Sequence, residues 1–265
     1  MTMILRAFRS EWVKLQRRTL LIGTYAALMI IAAFFTVLVF ARAGHPSNGD
    51  RDRFVSLAEL AQPGGLVLGL NRAAVLLGIV AFGVAAAQMA SEFSLGTIRQ
   101  LLVRQPRRPT LIAGKHLATL TFLAGAAAVA MISAGIAAIV MAHVRHIPTS
   151  AWGSTAGLAD LGHSVGNIAL ATAGYATLGL IVGLVLQSPV MSVMFGLVYL
   201  LIIDNVLSAV VSGASRWLPG QLLNTIASGG DSTTHFGAAL LTITAYLTIS
   251  VAVTVALFVR SDVTS

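Results

Sequence analysis

Few residues in this 265-residue chain have the types and spacing needed for chemistry. There is no cysteine, which removes disulfides, thiolate metal sites and thiol nucleophiles together. No Gly-x-x-x-x-Gly-Lys-Ser/Thr run occurs, so the chain has no phosphate-cradling loop of its own. Covalent hydrolysis would need a serine beside a histidine base. The candidates, Ser215 and His235, fall in one loop, and no Gly-x-Ser-Gly surrounds either. His143 and His146 lie three apart, with Asp160 and His163 further along the same connection, a loose pattern for zinc. All four lie at the ends of apolar segments, where histidine is commonly interfacial, and nothing fixes a common geometry. The sequence therefore predicts no catalytic residue and no metal site.

Charge is more informative. There are 17 Lys and Arg against 9 Asp and Glu, a net +8, and only two of the cations are lysine. The densest stretch starts at Glu92-Phe93-Ser94-Leu95-Gly96-Thr97-Ile98-Arg99-Gln100-Leu101-Leu102-Val103-Arg104 and continues through Pro106, Arg107, Arg108 and Pro109 to Lys115. Its first part reads as a short helix with Phe93, Ile98, Leu101 and Leu102 as apolar contacts. Arg99 and Arg104 stand near its C-terminal end, where the helix dipole favours cations. Pro106 and Pro109 then break it.

What must position these residues is a membrane domain. The chain is 57% apolar and 10% charged, with a mean hydropathy of +0.87, while soluble proteins are about one quarter charged. Six stretches approach the ~20 apolar residues a helical span requires: 19–41, 73–90, 117–142, 164–186, 190–212 and 236–259. The fourth and fifth share a charge-free block that breaks at Gln187-Ser188-Pro189, read as a tight hairpin. The apolar runs lack the alternation of barrel strands. The expected fold is an all-α integral membrane domain over 1–265, with both termini on one side. Sorting the charges by loop puts +8 on the side of the termini, +1 on the other and −1 at Asp204 within a span. The positive-inside rule then makes both termini cytoplasmic, in the plasma membrane. The run from residue 19 is too long for the core of a cleavable signal peptide, so the first span is expected to stay.

Ahead of that span, Leu5, Phe8, Trp12 and Leu15 recur at helical spacing, with Arg6, Arg9, Lys14, Arg17 and Arg18 off the stripe. Residues 1–18 therefore read as an amphipathic helix lying on the inner leaflet. Asp204 beside Asn205 is the sole acid within a span. It belongs either to a substrate path or dimer seam, or to an outer interface where the span ends early. Between 212 and 235 the apolar pieces are too short to cross and suit re-entrant or interfacial helices, with Trp217 as an interfacial anchor.

Two motifs, Ser10-Glu11-Trp12-x-Lys14-Leu15 and Glu92-x-x-x-Gly96-Thr97-x-Arg99-x-Leu101-Leu102, resemble those of the permease subunits of ABC-2 type exporters. The second continues through Pro106-x-Arg108 to Gly114-Lys115. The resemblance implies a six-span permease that works as a dimer, with a second copy or a related permease, beside separate ATP-binding subunits. It makes 91–116 the cytoplasmic loop that couples to the ATPase, carried by Glu92, Gly96, Thr97, Arg99, Leu101, Leu102, Arg104, Arg108 and Lys115. ATP and Mg would be bound by the partner subunit, with no cofactor in this chain, which is not itself an enzyme. The cargo would be hydrophobic or amphipathic, and no nucleic acid is expected, since no folded soluble face gathers the cations. The rival readings are a secondary transporter without an ATPase, which the lack of paired half-repeats disfavours, and a rhomboid-like intramembrane serine protease.

Overall fold

The computed structural model describes residues 3–44, 55–96, 108–231 and 234–260. Among these residues the chain is all helical, without a strand. The helices are α1 (Met3–Leu15), α2 (Arg18–Arg42), α3 (Leu57–Leu60), α4 (Leu68–Ser94, after a 3-10 turn Pro63–Val67), α5 (Arg108–Val144) and α6 (Thr155–Leu186). Then follow α7 (Pro189–Val198), a π-helical turn (Tyr199–Ile203), α8 (Asp204–Val210), a 3-10 turn (Ala214–Arg216), α9 (Pro219–Ala227) and α10 (Phe236–Arg260).

Six stretches are long and apolar enough to cross a membrane: Arg18–Arg42, Pro63–Ser94, Pro109–Val144, Thr155–Leu186, Pro189–Val210 and Phe236–Ala256. Each contains or overlaps one expected span. The chain is a multi-pass membrane protein. The helices overrun the apolar runs because charge marks the edge of hydrocarbon, whereas caps mark the end of a helix. α5 has 37 residues and α6 has 32, ~55 and ~48 Å at the usual rise, against a bilayer core of ~30 Å. The overruns carry Asn71 and Arg72 on α4, Lys115 and His116 on α5, and Asp160 and His163 on α6. α6 starts where the Ser154 hydroxyl accepts the Gly157 N–H at 3.1 Å, an N-cap. It ends at Gln187, left-handed at φ 52°, and Pro189 opens α7, so the predicted hairpin is present.

The bundle is densest where α6 meets α4. A Cβ on Gly179 would stand 2.2 Å from the Phe82 carbonyl oxygen, and one on Gly183 would stand 2.5 Å from that of Ala86. This small-residue pair lets the two backbones nearly touch. Beside it lies the main core, with Leu77, Phe82, Tyr175, Leu222, Leu223 and Ile226 buried together. Outward faces of α7 and α10 stay apolar and exposed, as at Val190 and Leu241, which suits contact with lipid.

The expectation of short re-entrant or interfacial pieces after residue 212 takes a definite form. α9 turns back into the bundle and buries Leu222, Leu223, Ile226 and Ala227. Trp217 stays exposed. The N-terminus of α9 meets Asp204, which is 1% exposed. The Gly220 N–H donates to Asp204 Oδ1 at 3.2 Å, and the Tyr175 hydroxyl donates to the Gly220 carbonyl at 3.3 Å. A carboxylate is favoured at the positive end of a helix. A Cβ at Gly220 would come within 2.7 Å of Asp204 Oδ2, so this contact requires glycine. Asn205 Nδ2 donates to the Leu200 and Leu201 carbonyls of the π-helical turn. Both side chains, expected at a path, a seam or an interface, are thus occupied with the chain's own backbone.

Candidate functional site

Four charged side chains from three helices meet at the end of the bundle that carries α1. Lys14 Nζ donates to Glu11 Oε1 at 2.6 Å and to Glu92 Oε1 at 2.7 Å. Lys115 Nζ donates to Glu11 Oε2 at 2.5 Å and to Glu92 Oε1 at 2.9 Å. Two cations and two anions alternate, so their formal charges cancel. The side chains of Glu11, Glu92 and Lys115 are 2%, 7% and 3% exposed, while Lys14 keeps 34% of its surface open. The only two lysines of the chain are both here.

Local folding brings them together. On α1, Ala7, Glu11 and Leu15 are buried at successive i+4 positions. α1 packs on α5 at Gly114, where a Cβ would lie 2.4 Å from the Ala7 Cβ and 3.1 Å from the Phe8 nitrogen. Glycine at 114 is what allows the helices to approach closely enough for Lys115 to reach Glu11. Glu92 comes from the last turn of α4. Leu15 joins Ala118, Phe122 and Leu123 just inside the charges, with Phe8 and Trp12 packed against that cluster. The Phe8 and Trp12 rings stack at 5.8 Å.

The electrostatics follow from the geometry. Burial alone would raise the Glu11 carboxyl, but the Lys115 charge and hydrogen bond, then those of Lys14, outweigh it and hold the group below its ordinary 4.5. For Lys14, burial works downward, while the bonds and charges of Glu11 and Glu92 prevail and raise it above 10.5. Both groups are therefore held ionised.

The expected coupling residues divide. Glu92 and Lys115 stand inside the network. Gly96 follows the end of α4 in a left-handed conformation, φ 66°, which glycine adopts without strain. Thr97, Arg99, Leu101, Leu102 and Arg104 lie outside the described residues, and Arg108 opens α5. The expected loop 91–116 needs correction at both ends. Glu92 and Phe93 belong to the last turn of α4, not to a separate short helix, and Gly114 and Lys115 lie within α5. The residues that sequence reading left out of the site are Glu11 and Lys14. Their signal was an acid in register with Ala7 and Leu15, and two lysines in an arginine-rich chain. The amphipathic stripe is also divided. Leu15 is buried and Leu5 is 41% exposed, so the stripe is offset from the buried line of α1 by about a quarter turn.

The other candidates do not assemble. No hydrogen bond joins Ser215 and His235, and among the described residues no group of three or more His, Asp or Glu is placed to hold a metal. Asp160 and His163 line a cleft at the opposite end of the bundle, whereas His143 and His146 do not.

No curated protein matches the chain. The family model described as ABC-2 family transporter protein matches residues 7–204, from the buried line of α1 to Asp204. That is well over half of the length and includes every member of the charge network. The chain belongs to the ABC-2 transporter family, as a membrane-embedded permease component of an ABC-type exporter.

Proposed function

We propose that the Glu11–Lys14–Glu92–Lys115 network is the anchor through which an ATP-binding partner moves this permease. The observation that carries the reading is its position: Glu92 and Lys115 flank the connection 97–107 on either side, and Glu11 and Lys14 tie both flanks to α1. A partner that pulls or rotates 97–107 displaces the ends of α4 and α5 together, and α1 follows. Stability alone is a weak reason for such a site, because apolar residues of similar volume often hold a buried location as well or better. A cancelling set of charges, unlike an oily contact, fixes one register among three helices.

In this reading the α1 end faces the cytoplasm, where the basic excess belongs. α1 lies along the inner leaflet, its buried line on the protein and its neighbouring apolar face toward lipid. The partner binds ATP and Mg and docks on 97–107, with Arg99 and Arg104 as its cationic contacts. Two permeases, identical or related, form the path for a hydrophobic or amphipathic cargo. The test is affinity purification of the tagged full chain from its native membrane. An ATP-hydrolysing protein should co-elute with the wild type and be lost with R99E/R104E, while membrane insertion is retained. Equal recovery from the variant would rule out the docking assignment.

A further inference from the structure

The side of α1 turned away from the bundle combines cations with apolar surface. At ~100° per residue, Arg6 and Val13 fall roughly opposite the buried line of Ala7, Glu11 and Leu15. Leu5, Phe8 and Trp12 run along one flank. Arg6 is exposed, and so are Arg17 and Arg18, where the chain passes from α1 into α2. Val13 keeps 69% of its surface open and Leu5 41%, an apolar exposure that lipid relieves and water does not. The one acid among residues 1–20, Glu11, is turned inward and held by Lys14 and Lys115. Arg17 and Arg18 also open α2, which has no acid in its first turn and no side-chain cap, so two cations stand at the positive end of a helix. An anion from outside the chain stabilises that arrangement.

We infer that this side of α1 is a docking surface for anionic phospholipid, with phosphate headgroups beside Arg6, Arg17 and Arg18 and acyl chains against Leu5 and Trp12. A zwitterionic lipid brings the same chains without net negative charge, and a soluble phosphate brings the charge without the chains. Basic and apolar surface side by side therefore select the anionic lipid over both. The inference rests on the proposed placement of α1 along the inner leaflet. Lipid binding needs neither an ATPase nor the Glu11–Lys14–Glu92–Lys115 network, so its failure and the failure of the coupling reading are distinguishable.

The test is quenching of Trp12 fluorescence by lipids brominated on their acyl chains. The full chain carrying W152F/W217F, with Trp12 as its sole tryptophan, is reconstituted in phosphatidylcholine vesicles containing brominated phosphatidylglycerol or brominated phosphatidylcholine. The expected result is quenching by both, with phosphatidylglycerol preferred at least about fivefold. In R6Q/R17Q/R18Q, whose changes are all at exposed positions, the preference should fall close to one. Inorganic phosphate at matched ionic strength should leave it in place. If the tryptophan variant does not fold, melting of the otherwise unaltered chain in nanodiscs is read instead: phosphatidylglycerol should raise Tm over phosphatidylcholine for the wild type and not for R6Q/R17Q/R18Q. No quenching by either lipid, equal effects of the two, a preference unchanged in the arginine variant, or its loss to inorganic phosphate would overturn the assignment.

Discussion

The two ends of this bundle are closed by different forces. At the α1 end, Glu11, Lys14, Glu92 and Lys115 hold three helices together by charge. At the opposite end α2 and α5 are joined by an oily cap in which Phe40, Leu60, Ala142, Ile147 and Trp152 are buried together. The Phe40 and Trp152 rings meet edge to face at 6.3 Å, and the polar bonds there run to backbone. Trp152 Nε1 donates to the Leu60 carbonyl at 3.0 Å, and Arg145 Nη2 donates to that of Ala43 at 2.7 Å. Apolar contacts accept volume-conserving substitution, whereas alternating charges have one satisfied arrangement and a steep penalty for departing from it. Under the proposed coupling, a permease driven from its α1 end would benefit from having its discrete contact there.

That contrast is testable in order of expected effect. Removing one member of the network should hurt most. E11A leaves Lys14 and Lys115 sharing Glu92, with one positive charge of the buried set uncompensated, and the cost should be about 3–5 kcal/mol in thermal unfolding of the purified protein. E11M/K115M removes one charge of each sign and leaves Lys14 paired with Glu92, so most of that loss should be absent. If the single and double variants melted alike, the charges would not be acting as a set. At the other end G65A comes next. Its Cβ would stand 1.9 Å from the Leu60 carbonyl oxygen, which is backbone and cannot step aside, so a loss of about 3 kcal/mol is expected. W152F should cost about 1–2 kcal/mol by leaving the Leu60 carbonyl without its donor. Neither change in the oily cap should alter partner binding.

The smallest effect is a pH signature. The Glu11 carboxyl titrates below 4.5, so its contribution is complete above that value and is lost as the pH falls through the lowered one. Lys14 titrates above 10.5, so its contribution is complete below that value and is lost as the pH rises through the raised one. Subtracting the melting curve of E11M/K115M from that of the wild type across pH should leave a plateau that falls at the acid end. The same subtraction for W152F should be flat.

The sequence disclosed different parts of this arrangement to different degrees. Six spans and the Gln187-Ser188-Pro189 hairpin follow from hydropathy and proline, because the bilayer turns composition into length directly. The helix ends did not follow. Charge stops an apolar run at Arg72, Lys115 or Asp160, yet the backbone continues to its cap, as Ser154 shows ten residues before the expected start of the fourth span. The network was half visible. Glu92 and Lys115 stood in a conspicuous loop, but pairing them with Glu11 depends on Gly114 admitting α1, a fact of distance that spacing does not encode. Asp204 was singled out as the acid within an apolar run. Its relief by the N-terminus of α9 could not be read, since α9 is a nine-residue segment whose burial is decided by the surrounding helices.

In the proposed mechanism the four charges transmit the stroke of the ATPase to the membrane helices. The direct measurement is ATP hydrolysis by the purified permease–ATPase complex in nanodiscs, compared with the ATPase subunit alone, for wild type and E11M/K115M. The variant complex is expected to assemble and to melt close to the wild type but to lose most of the permease-dependent change in hydrolysis. Full retention of that change, in an assembled complex with the network removed, would contradict it.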